Sequence, residues 1–272
     1  MSTNETTAQP VGGIAPAMIR RTPKRDYVPF YGPIAMIVFL VVWEVGLRIA
    51  EIPELYLPRP TVIAQNLYLL FTEGGILQDL GVTLYRIFGG FFLAAFVGIV
   101  LGILMGTSRK LYAICDIFIA VLYPIPKISL VPLLIIWFGS GDLFQIVLAA
   151  LGCFFPVVIN TILGVRQCDQ GLILAARDLG ASERQIKWKV VFPAAVPSIF
   201  SGLKLALGIA IIMVVAAEML TAKYGLGARL QLSGQILETG QVFAILLLLA
   251  VLGGLLTKGQ ERIDRMIGRW RT

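Results

Sequence analysis

From Phe30 onward the apolar residues of this chain come in runs of about twenty, with polar residues gathered between the runs rather than alternating through them. A helix crossing the ~30 Å hydrocarbon layer of a bilayer needs roughly 20 mostly apolar residues. Six segments meet that demand. The first, Phe30 to Ala50, holds Glu44 and Arg48 four residues apart, where they neutralise each other on one face. The second, Ile87 to Met105, carries no charge. The third starts at Leu111 and runs to Tyr123. It continues through an apolar stretch broken by Pro124, Pro126 and Pro132 as far as Gly139, which predicts a re-entrant or interfacial piece. Leu143 to Val165 forms the fourth, Val196 to Leu220 the fifth, and Thr239 to Thr257 the sixth. Between the first two, Leu57 to Phe71 opens on Pro58 and Pro60 and places Val62, Ile63, Leu67, Leu70 and Phe71 on one helical side, the pattern of a helix lying at the interface.

Composition agrees with this and narrows it. The 272 residues are 57% hydrophobic and 14% charged, and the mean hydropathy is +0.84. A soluble domain is about 45–50% apolar and about 25% charged, so the pattern is that of an all-α polytopic membrane protein. There is no histidine, and Cys115, Cys153 and Cys168 have no metal-ligand spacing, so a metal site is not expected and the cysteines read as small apolar residues. Ser129, Ser198 and Ser201 lack a candidate base, which leaves hydrolytic chemistry little to work with. Gly98, Gly102 and Gly106 form a small-residue stripe on the second span, suited to close helix packing within the subunit or to a sliding or dimer surface. Two ionisable groups lie inside the fifth span, Lys204 and Glu218. Such groups in a membrane usually face a cavity or a partner. Both are therefore candidate pathway residues, with Arg86 or Arg229 as the basic group that Glu218 would hold, while Lys204, about two turns in from the cytoplasmic end, equally suits snorkelling to the headgroups.

The formal charge of +7 sets an orientation. With the N-terminus inside, sixteen of the 23 Lys and Arg residues fall in the tail, the 107–110 turn, the 166–189 loop and the C-terminal end, and six fall outside. Cytoplasmic loops carry such an excess, so N- and C-termini are both expected in the cytoplasm. Residues 1–29 read as a disordered basic tail without the apolar core of a signal peptide, and its Arg20, Arg21, Lys24 and Arg25 pin the first span rather than bind nucleic acid.

One loop is more than a connector. Residues 166–192 read as two short helices: Ile173 to Leu179, stopped by Gly180, then a second opened by Ser182 with Gln185 three residues on, a capping-box spacing, and ended by Pro193. Small side chains at Ala175 and Ala176, inside a charged rim that includes Arg177 and Asp178, suit the close approach of a partner's backbone and, on composition alone, equally an amphipathic loop packed against lipid headgroups. Leu174-Ala175-Ala176, then Gly180, then Val190-Val191-Phe192-Pro193, resembles the EAA signature (EAA, three residues, Gly, nine residues, I-x-L-P) of the permease subunits of ATP-binding-cassette importers. Leu174 stands where that signature usually has Glu. The likeness extends through Leu57-Pro58-Arg59-Pro60, Thr83-Leu84-Tyr85-Arg86, Trp137-Phe138-Gly139 and Ala217-Glu218-Met219-Leu220 to the branch that carries nitrate, taurine and other sulfonates, bicarbonate or cyanate.

The resemblance implies a type I importer permease fold over residues 30–268, with Leu174, Ala175, Ala176, Arg177, Asp178, Gly180 and Pro193 coupling to a separate ATPase. It also implies a second permease subunit, a homodimer partner, and an extracytoplasmic substrate-binding protein, besides the membrane lipids themselves. No cofactor is expected. The chain contains no Gly-Lys dipeptide, hence no G-x-x-x-x-G-K phosphate loop of its own. The competing readings are a permease for a thiamine-precursor-like or other small heterocycle, and an ATP-independent secondary transporter, which would have no use for the 166–192 handle.

Overall fold

The computed structural model describes residues 28–268, so the basic tail read at 1–29 lies almost wholly outside the described residues. Within them the chain is helical: α1 (Val28–Ile49), α2 (Pro60–Thr72), α3 (Ile76–Thr107), α4 (Arg109–Leu122), a 3-10 turn at Lys127–Leu130, α5 (Val131–Phe138) and α6 (Asp142–Arg166) come first. Then follow α7 (Gln170–Asp178), α8 (Glu183–Ile186), a π-turn at Lys187–Val191, α9 (Phe192–Thr221), α10 (Leu226–Gln235) and α11 (Thr239–Gly268). Five of these stretches are long and apolar enough to span a bilayer, and the pair Arg109–Leu122 with Lys127–Phe138, bent by 88°, makes a sixth if taken as one span. The bend falls at the prolines, as the sequence predicts. Lys127 closes it by donating to the carbonyls of Leu122, Tyr123 and Ile125 at 2.7–2.9 Å, which answers orphan acceptors at the end of α4.

Helix α6 is the axis of the molecule. On one side α3 lies against it along a line of glycines. A Cβ added at Gly90 would sit 2.6 Å from that of Ala149, at Gly102 2.5 Å from that of Thr161, and at Gly106 2.6 Å from that of Val165. On its other side α9 approaches as closely: a Cβ on Gly164 would meet Ser198 at 2.7 Å, and one on Gly202 would meet the Pro156 carbonyl at 2.8 Å. Lipid tails are as apolar as leucine, so helices associate in a membrane by close contact rather than by escape from water. The glycine stripe thus serves packing within the subunit. Ile87, Ala94, Ala149, Cys153, Val157, Ala206, Ala210 and Val214 fill the seam between the three helices.

A second cluster, Ile63, Leu70, Ile76, Leu226, Leu230, Ala244, Ile245 and Leu252, joins α2, α10 and α11 to the start of α3. Of the interfacial face expected on α2, Ile63 and Leu70 are buried and Val62 and Leu67 half-buried, while Phe71 stays exposed. Helix α1 sits outside this body, mostly exposed, its Glu44 accepting from the Thr61 amide at 3.1 Å near the start of α2. Because α3 and α6 run one way and α9 the other, the molecule has a loop end, at residues 167–191, and a hub end, where α2, α10 and the starts of α3 and α6 meet.

Three boundaries differ from the sequence expectation, for physical reasons. The second span begins at Ile76 rather than Ile87, because Asp79, Thr83 and Arg86 are satisfied inside the protein and do not mark a water boundary. Pro193 does not end the second loop helix. The chain stays helical from Glu183 to Thr221, and the π-turn lets the Phe192 amide bond to the Lys187 carbonyl, a widened register that accommodates the proline in the first turn of α9. Helix α10 forms in what reads as a plain outer loop.

Replacing Gly102 by Ala forces its Cβ against Thr161, whereas at Gly254 nothing lies within 4 Å. Thermal unfolding in detergent should show G102A destabilised by about 2 kcal/mol and G254A within about 0.5 kcal/mol of the parent.

Candidate functional site

At the loop end the local sequence builds a braced pair of helices. Asp169 caps α7 by accepting from the Gly171 amide at 2.8 Å. Gly180, at φ +82°, turns the chain where a side chain would be strained. Ser182 and Gln185 form the expected capping box, with Ser182 N donating to Gln185 Oε1 at 2.8 Å. Arg177 reaches across the turn to Glu183 at 2.8 Å, tying α7 to α8. Beneath them Cys168, Ile186, Val191, Ala195 and Ile199 form a small core, joined by Ile173 and Ala176. The alanine pair is therefore split: Ala176 faces inward, half-buried, and Ala175 faces out. Around Ala175 stand Leu172 and Leu174, each 55% exposed, and Leu179, 88% exposed. Asp178 is exposed too, and Pro193, half-buried, lies at the root of α9. This end thus presents an apolar, small-residue face on a rigid base. The Cys168 thiol lies beneath it, its pKa pushed up by burial and then by the Asp169 charge.

At the hub end a polar cluster gathers among four helices, buried at Glu218 and open to the outside at Asp142. Glu218, fully buried on α9, accepts from Thr83 Oγ1 at 2.9 Å, from Arg86 Nη1 at 2.7 Å and from the Gly227 amide at 2.9 Å. Arg86 also donates to the Tyr224 carbonyl at 2.8 Å and to Asp142 Oδ1 at 2.6 Å. Thr83 in turn accepts from the Leu226 amide at 2.9 Å. Asp79 accepts from the Gly225 amide at 2.8 Å and from Arg229 Nε at 2.7 Å. One network thus ties α3, α6 and α9 to the turn that starts α10. A buried charge is tolerated only when paired and hydrogen-bonded, and here both partners are.

Of the three pathway candidates the structure brings Glu218 and Arg86 together and leaves Lys204 apart. Lys204 points toward α11 and pairs with Glu261 at 2.5 Å, both about half exposed. Of the two basic partners considered for Glu218, Arg86 is the one found, and Arg229 goes to Asp79. The sequence reading missed Asp79, Thr83 and Asp142. The first two had a signal in the spacing Asp79, Thr83, Arg86, one face of a single helix, on a segment taken to lie outside the span, whereas Asp142 on α6 had none.

Comparison with known proteins adds the decisive observation. The family profile described as "binding-protein-dependent transport system inner membrane component" matches residues 94–269, which include the whole loop end and Glu218. The chain belongs to this family. Among relatives of this permease, the putative aliphatic sulfonates transport permease of Bacillus subtilis is 33% identical over 94% of the chain and 93% of its own length. The taurine transport system permease of Escherichia coli is 35% identical over 86% of each. A chain of the MetNI methionine ABC transporter, solved in inward-facing conformations, shares the fold with a TM-score of 0.61 at 24% identity, covering 71% of the permease and 95% of that chain. The protein is thus a transmembrane permease subunit of an ATP-binding-cassette importer, a multi-pass membrane component.

E218Q removes one of the two carboxylates that Arg86 pairs with, leaving it to Asp142, and should destabilise the permease by about 2 kcal/mol, short of the full cost of stranding a buried charge, read as a lowered unfolding midpoint. R86M combined with E218Q should lose less than the sum of the two single variants, since the pair acts as a unit.

Proposed function

We propose that this permease imports a small anion of the sulfonate, taurine, nitrate or bicarbonate kind, and that the face around Ala175 is where its ATPase docks. The observation that carries the docking reading is the exposed apolar face of α7 on a base continuous with a membrane-spanning helix: α8, the π-turn and α9 form one helical stretch from Glu183 to Thr221. Allosteric coupling between two sites needs an element whose position both of them bias. A helix that runs unbroken from the loop into the membrane supplies one. In this reading Ala175 admits the ATPase surface, Leu174 makes an apolar contact where the family signature usually has Glu, and the Arg177–Glu183 pair with Gly180 keeps α7 from swinging freely.

The working unit is a pair of permease subunits, taken as two copies of this chain, on a pair of ATPase subunits that supply the hydrolysis, loaded by an extracytoplasmic binding protein. The loop end is cytoplasmic. Arg109, Lys110, Arg166, Arg184, Lys187 and Lys189 gather there, while of the five cations at the hub end, Arg48, Arg59, Arg86, Lys223 and Arg229, four are paired with Glu44, Glu54, Glu218 and Asp79. A charge excess at one end supports that orientation. The sulfonate and taurine relatives support the substrate class. Glu218 and Arg86, with their bonding capacity used inside the protein, fit anchors of the outer end beside the pathway. Lys204, half exposed, is the candidate whose ammonium an anion can reach.

Co-purification with the partner ATPase tests the docking face. A175W should lower the amount of ATPase retained about tenfold, a loss of about 1.4 kcal/mol, and remove ligand-stimulated ATP hydrolysis while leaving the unfolding midpoint unchanged. An A175W variant that retains and stimulates the ATPase as the parent does would place the docking face elsewhere.

A further inference from the structure

A cleft of about 510 Å³ lies behind the docking face and takes no part in it, between the corner where α3 passes into α4 and the inner side of α8. Its floor is apolar, made by Val165, Ile173, Ile186 and Val191. Its rim holds three cations, Arg109, Arg166 and Lys187, and a single acid, Glu183. That acid is already taken by Arg177 at 2.8 Å, and none of the three cations has a carboxylate within ion-pair distance among the described residues. The Arg166 guanidinium lies over the Tyr112 ring, 3.5 Å from its centre, so its plane is fixed while its N–H edge stays open. Three donors of one sign around a common space, with no internal counter-charge, leave an unmet demand for an anion.

The surroundings say which kind. The cleft lies where α3 and α6, two helices that cross the membrane, reach the loop end. A soluble ion gains nothing from an apolar floor, whereas a molecule with a charged head and hydrocarbon tails uses both the floor and the cationic rim. We infer that the cleft holds the phosphate headgroup of an anionic phospholipid. Such a lipid bridges the α3–α4 corner to α8. It therefore bears on the same lever that the docking face moves, and ties the lever's resting position to the anionic lipid content of the membrane.

Native mass spectrometry of the detergent-purified permease tests this without the ATPase or any transport substrate, so its outcome is separate from that of the docking reading. With phosphatidylglycerol and phosphatidylcholine offered together, the parent should retain phosphatidylglycerol about tenfold more, as charge-assisted bonds to several cations dictate. R109Q and K187Q should each remove most of that preference. K110Q, which loses the same charge at the neighbouring residue outside the cleft, should keep it. Equal losses in R109Q and K110Q would reduce the effect to diffuse surface charge and overturn the site. Release of the retained lipid by millimolar inorganic phosphate would assign the cleft to a soluble anion and overturn the lipid.

Discussion

Helices in hydrocarbon gain little by hiding leucine from leucine, so what holds this permease together is how closely three backbones can approach. Helix α6 lies between α3 and α9, and at each contact one partner is glycine: Gly90, Gly102 and Gly106 on α3, Gly164 on α6 itself, Gly202 on α9. That approach fixes the remaining geometry. It brings Thr83 and Arg86 of α3 opposite Glu218 of α9, at distances where a carboxylate can be fully satisfied without water. Were the helices a methyl group further apart, the same side chains would form a set of buried and unpaired charges. Packing and the polar hub are thus one constraint seen at two depths.

The other end, proposed as the coupling element, answers a different demand: a loop that bends would absorb the displacement it should transmit. Stiffness here comes from small devices in series: the Asp169 cap, Gly180 in the left-handed region, the Ser182 and Gln185 box, the Arg177–Glu183 brace and a core of Ile186, Val191 and Ala195. The π-turn at 187–191 then carries the helix past Pro193 without a break. In the proposed docking reading the hub clamps the far end of α9 and the loop moves its near end.

Much of this was legible in the sequence because its signals are local. Runs of apolar residues gave the spans, prolines gave the bend after Tyr123, and Gly180 and the Ser182–Gln185 spacing gave the end of α7 and the start of α8. What escaped were features decided by partners distant in the chain. Asp79 and Arg86 looked like a water boundary because their neutralising groups, Arg229, Asp142 and Glu218, lie between 56 and 150 residues away. Pro193 looked like a stop, since nothing local announces a π-turn. Lys204 and Glu218 looked alike as charges in one span, and only the fold separates a residue sealed among four helices from one that meets Glu261 near the surface.

This permease is proposed to move an anion only when an ATPase drives it through the loop end. The deciding measurement is uptake into proteoliposomes holding the permease, its ATPase and its binding protein, with taurine, an alkanesulfonate, nitrate and bicarbonate offered in turn. At least one of them should enter, and its entry should need both ATP on the ATPase side and the binding protein on the other. Uptake that persists without ATP, or that follows an ion gradient alone, would overturn the proposal.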